Sequence, residues 1–151
     1  MVRKNEREHS RFETADVALA LATHTYNITS NPKIFNQIHY RMIGRLTGEA
    51  TMIYQKVRVA NETKANTIED AKERLKLQKD ALEYCKALTS DIMISKGLFH
   101  LRMRRVIFWN GYVTRLETMI KAWMDSDIRS LGQARLSFWW TRRKSNTNVE
   151  S

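Results

Sequence analysis

The chain has 151 residues, enough for one domain with a real core, and 42% of them are hydrophobic, which excludes general disorder. Only 5 Gly and 1 Pro are present, too few for a strand-and-turn protein and consistent with long helices. Lys and Arg total 26 against 16 Asp and Glu, a net charge of +10, and a field of that sign attracts polyanions.

Residues 1–13 are polar and mixed in charge, and read as a flexible N-terminus without the apolar core of a secretory signal. A first helix is predicted from Thr14 to Ile28, with Thr14 as N-cap and Val17, Leu21, His24 and Ile28 on one face. Ser30-Asn31-Pro32 stops it, because the residue before Pro avoids the helical region. The second helix is predicted from Lys33 to Ala60. Its buried stripe is Ile38, Met42, Leu46, Ala50, Ile53 and Val57. Gly44 and Gly48, four apart, suggest a close helix crossing.

Asn61 to Asn66 is a short polar loop, which makes the helices on either side antiparallel neighbours. Thr67-Ile68-Glu69-Asp70 resembles a capping box with Asp in the place of Glu. The third helix follows from Ile68 to Lys96, with Ala71, Leu75, Gln78, Leu82, Cys85, Thr89 and Ile92 at bundle spacing. Asp70–Arg74 and Lys79–Glu83 are spaced to pair on its surface. Gly97 and its neighbours turn the chain into a fourth helix from Leu101 to Met124, buried through Val106, Val113, Leu116, Ile120 and Trp123. Trp109 and Tyr112 flank that stripe, and Asp125-Ser126-Asp127 closes it.

The fold expected is therefore all-α, an up-and-down antiparallel four-helix bundle over residues 14–128. A basic-aromatic tail follows over 129–151, with one short helix around Gln133 to Trp140. No apolar run approaches a membrane span, and the lone Cys85 fits a reducing compartment, so a cytoplasmic protein is expected.

No enzyme motif is present. His9, His24, His39 and His100 show no metal spacing, one Cys builds no zinc site, and no Gly-rich loop cradles phosphate. The reading is a non-enzymatic protein without metal or cofactor, although His24 and His39 lie on different helices and could meet.

Cations do cluster. Lys33, Arg41, Arg45, Lys56 and Arg58 face only Glu49 in their stretch, and Lys96, His100, Arg102, Arg104 and Arg105 have no acid among them. In an up-and-down bundle these place positive charge at one end. Arginine forks grip phosphate without reading sequence. In the tail, Trp139 and Trp140 precede Arg142, Arg143 and Lys144. Such a run suits base stacking with phosphate contact, docking on a protein partner, or packing on the bundle itself.

Several stretches between Asn31 and Asp127 carry a family resemblance: NPKIFNQIHYRMIGRL with YQKVRVAN, ERLKLQKDALEYCKAL, and RRVIFWNGYVTRLETMIKAWMDSD. Together they cover about two thirds of the chain and resemble the bacterial four-helix-bundle proteins related to the accessory variability determinants of diversity-generating retroelements. That superfamily includes proteins encoded in intervening sequences of large-subunit ribosomal RNA genes. The resemblance implies a homo-oligomer, a pentamer in the accessory group, which binds the element's reverse transcriptase and its template RNA or RNA–cDNA. It supports mutagenic cDNA synthesis without an active site of its own. It makes Arg41, Arg45, Arg102, Arg104 and Arg105 candidates for RNA or polymerase contact. The alternative is a stand-alone four-helix scaffold or RNA-binding protein of the ribosomal-intervening kind.

Overall fold

The computed structural model describes the backbone of residues 4–147 and the side chains of residues 13–133. Four helices follow one another: α1 (Lys4–Thr29), α2 (Tyr40–Glu62), α3 (Ile68–Leu98) and α4 (Met103–Thr147), and no strand occurs among the described residues. α1 packs on α2, α2 on α3, α3 on α4, and α4 closes back on α1, while among the described residues the backbones of the diagonal pairs stay apart. This is the up-and-down ring expected for amphipathic helices joined by short links.

The core holds Leu21 from α1, Leu46 and Ile53 from α2, Leu88 and Ile92 from α3, and Trp109, Leu116 and Ile120 from α4, all fully buried. Trp109, expected to flank the stripe, is the largest of them. Its indole N–H donates to Thr25 Oγ1 at 3.0 Å, and Thr25 in turn donates to the Leu21 carbonyl at 2.8 Å. The polar edge of the ring is thereby satisfied where water cannot reach it. Cys85 is fully buried, and burial first, then the negative charge of Glu117, push its thiol up to about 12. It packs as a small hydrophobe.

The start of α3 follows its sequence closely. Thr67 Oγ1 accepts from the Asp70 N–H at 3.1 Å, and Glu69 and Asp70 lie at the positive end of the helix dipole. The helix ends at Leu98 with Phe99 as its cap, and His100 just beyond has a φ of 52° in the left-handed region. Beyond it the Leu101 N–H donates back to the Lys96 carbonyl at 3.0 Å, the bond pattern of a Schellman close. Gly97, the residue expected to turn the chain, is still helical.

Five expectations are corrected. α1 begins at Lys4, so Thr14 is a buried residue inside the helix rather than its cap, and the boundary drawn after residue 13 disappears. α2 begins at Tyr40, not Lys33. Asn31 Oδ1 takes the Lys33 N–H and Asn36 Oδ1 takes the Ile38 N–H, and these side-chain turns displace the helix from residues 31–39. A 3-10 turn over Gln37–His39 completes the link, and Ile38, assigned to the buried stripe, is 72% exposed.

The third correction concerns Gly44 and Gly48: space for a Cβ is open at both, so no close crossing uses them. Fourth, Arg74 pairs with Asp127 on α4 and not with Asp70 in its own helix. Fifth, Asp127 does not close α4. The helix continues to Thr147, so residues 129–147 of the segment read as a tail with a short helix at Gln133 to Trp140 are part of one 45-residue helix, and the last four residues lie outside the described ones.

Candidate nucleic-acid interface

The α1–α2 link and the α3–α4 turn meet at one end of the bundle, the apex. Phe35 is fully buried there, its ring centroid 4.5 Å from Phe99 and 6.0 Å from Trp109. His39 packs edge-on against Phe99 at 5.4 Å. These rings join the two connections and carry the cations of both to the same place. No acid occurs between Asp16 and Glu49, nor between Asp91 and Glu117. The chain therefore brings two acid-free stretches together at the apex.

Arg102 and Arg104 are exposed and Arg105 is half-buried, all at the start of α4. The first turn of α4 holds no acidic residue. Unsatisfied backbone N–H groups give a helix N-terminus a partial positive charge, so cations there are unfavourable by roughly 0.3–1 kcal/mol each. Arg41, exposed, and Lys96, half-buried, lie at the same end, with Lys33 in the link. None of these six makes an ion pair among the described residues. An anion would relieve this local repulsion while gaining arginine forks and backbone donors.

Other candidates are engaged. Arg45 makes a two-point bond to Asp91, Nε to Oδ2 at 3.1 Å and Nη2 to Oδ1 at 3.2 Å, although its side chain stays 62% exposed. Lys56 faces Asp80 at 3.7 Å and Arg58 faces Glu62 at 3.3 Å, both toward the opposite end from the apex. Their charges are offset locally, so they add less to the field at the apex. Trp139, Trp140, Arg142, Arg143 and Lys144 lie on the distal part of α4, and their side chains fall outside those described. The helix separates them from Arg104 by roughly 57 Å at about 1.5 Å per residue, so the two basic groups do not form one surface.

Among the described residues, His24 and His39 pack on different rings. His24 lies among Phe108 at 5.2 Å, Tyr112 at 5.5 Å and Trp109 at 6.4 Å, away from His39 at Phe99. Burial, then the nearby Arg105 charge, hold the His24 imidazole below its usual range, and its Nε2 is buried without a hydrogen-bond partner.

Two polar groups were not legible as such in the sequence. Asp91 is nearly buried between α2 and α3, facing Glu49 and Arg45. Burial, followed by the hydrogen bond and charge of Asp91, pushes Glu49 up to about 8. Burial alone would raise Asp91 too, but bonds from the Glu49 carboxyl and the Arg45 guanidinium outweigh it and leave Asp91 low. One proton and one guanidinium thus stabilise two neighbouring carboxyl groups.

Fold and site together define an all-α bundle with an unneutralised basic apex. Comparisons of the chain with protein-family models, curated proteins and solved structures return no match. Among the described residues no helix is long and apolar enough to cross a membrane.

Proposed function

We propose that this protein is a non-catalytic RNA-binding accessory subunit that engages RNA phosphates with its apex. The observation carrying the reading is the trio Arg102, Arg104 and Arg105 at the N-terminal turn of α4, without a carboxylate partner among the described residues and beside the positive end of the helix. A solubilising surface would intersperse acids, as the outer face of α3 does with Lys72, Glu73, Lys79 and Glu83.

The resemblance of the stretches between Asn31 and Asp127 to the accessory proteins of diversity-generating retroelements supplies the partners. These are a reverse transcriptase and its template RNA or RNA–cDNA, bound by a homo-oligomer that supports mutagenic cDNA synthesis. An exposed face supports self-association: Met93, Met103 and Ile107 are each at least half exposed and line a depression of about 570 Å³ between α3 and α4. Contiguous apolar surface of this kind marks interaction sites.

The test is RNA affinity against salt concentration for the wild type and for Arg102→Ala, Arg104→Ala and Arg105→Ala. Each substitution should weaken binding and reduce the salt slope by about one. An affinity indifferent to salt sinks the phosphate-contact reading. Capture of the cognate reverse transcriptase and a native mass test the assembly, and RNA binding without capture would leave a stand-alone RNA-binding bundle.

A further inference from the structure

The apex also presents an aromatic ring. Tyr40, the first residue of α2, is 65% exposed. The Arg41 guanidinium carbon lies 6.0 Å from its ring centroid. The preceding residue, His39, packs on Phe99, and Phe99 leads directly into His100 and the arginines of α4. The exposed ring and the unpaired cations therefore share one end of the bundle.

We propose that the apex takes single-stranded RNA, with a base stacked on Tyr40 and the flanking phosphates held by Arg41, Arg102 and Arg104. The proposal rests on the polyanion reading of the apex and adds the form of the nucleic acid. In a duplex the base faces are covered by their neighbours, so a surface tyrosine finds phosphate there but no face to stack on. A single strand offers both, and every base has a π-face. The guanidinium beside the ring is attracted to its electron-rich face and places a positive charge next to a stacked base. Binding of this type tolerates any sequence, since no base edge is read.

The experiment uses the full chain with a labelled single-stranded RNA, the duplex of the same sequence, and inorganic polyphosphate as competitor. Tyr40 is exposed, so Tyr40→Ala should leave the core intact, which a thermal melt checks. Tyr40→Ala should weaken single-strand binding by about tenfold and leave duplex binding unchanged, Tyr40→Phe should retain wild-type affinity, and Arg104→Ala should weaken both. Two outcomes overturn the stacking while the polyanion reading stands. In one, Tyr40→Ala lowers both affinities equally; in the other, it alters neither while Arg104→Ala still weakens binding. If Arg104→Ala weakens neither ligand, the polyanion reading fails and the proposal with it.

Discussion

Arg74 on α3 and Asp127 on α4 form a buried two-point ion pair. Nε of Arg74 donates to Asp127 Oδ2 at 2.8 Å and Nη2 to Oδ1, with side-chain exposures of 4% and 8%. Gln78 Nε2 also donates to Oδ2 at 2.9 Å, and Arg74 Nη1 donates to the Thr63 carbonyl at 3.2 Å. One guanidinium thus connects α3, α4 and the end of α2. Removing one partner leaves the other charge buried, so Asp127→Ala should lower the unfolding free energy by about 3–5 kcal/mol. Combining Arg74→Met with Asp127→Leu should recover most of that loss. Denaturant melts measure both, and a loss for Asp127→Ala no larger than for a surface aspartate would show that the pair is not structural.

Glu49 makes the bundle pH-sensitive. Its folded carboxyl titrates near 8 against an ordinary value of 4.5. Between those values the folded state holds a proton that the unfolded chain has released, so stability falls as pH rises through this window and levels off above it. Glu49→Gln should flatten the profile and raise the denaturant midpoint at pH 9 relative to wild type. A wild-type midpoint independent of pH from 5 to 9 would contradict the shift.

Gly44 and Gly48 lie inside α2 with nothing near an added Cβ. Replacing each with Ala should raise stability by about 0.4–1 kcal/mol through the smaller entropy of the unfolded chain. A decrease on thermal melting would mean that a partner approaches the helix there.

His100 occupies a left-handed conformation at the close of α3. A Cβ costs roughly 1 kcal/mol in that region, so His100→Gly should stabilise the bundle by about that amount. His100→Ala, which keeps the Cβ, should gain nothing. Equal melts for the Gly and Ala variants would remove the strain argument.

The four bundle helices, a short link between α2 and α3 and the Thr67 cap were legible because apolar periodicity and capping are local properties, although α2 runs through Asn61 and Glu62 before the link begins. The stripe of α4 was legible as well, and its next step beyond Trp123 is Asp127. An acid at an apolar position reads as an end of the helix, when the residue that makes it tolerable is Arg74 in another helix. Asp91 is hidden in the same way, in phase with Cys85 and Leu88 and stabilised by Arg45 and Glu49. Periodicity finds apolar cores, but a charge inside one is recognised only with its partner in view. Likewise, Asn31 and Asn36 outcompeted a helix at Lys33 because a side-chain acceptor two residues away is nearer than the next turn's carbonyl. The acid-free cluster at Arg102 to Arg105 was visible from spacing alone. That it shares an end of the bundle with Tyr40 depends on Phe35 and Phe99 joining two loops distant in sequence.

The unbroken course of α4 gives the molecule a strut. Its 45 residues extend about 68 Å at the usual helical rise, anchored along the bundle for much of that length. A load taken at Arg104 and one taken at Trp140 would be kept at a set separation, and a tilt imposed on one would be delivered to the other. Shortening or kinking this rod between the two points would change their spacing.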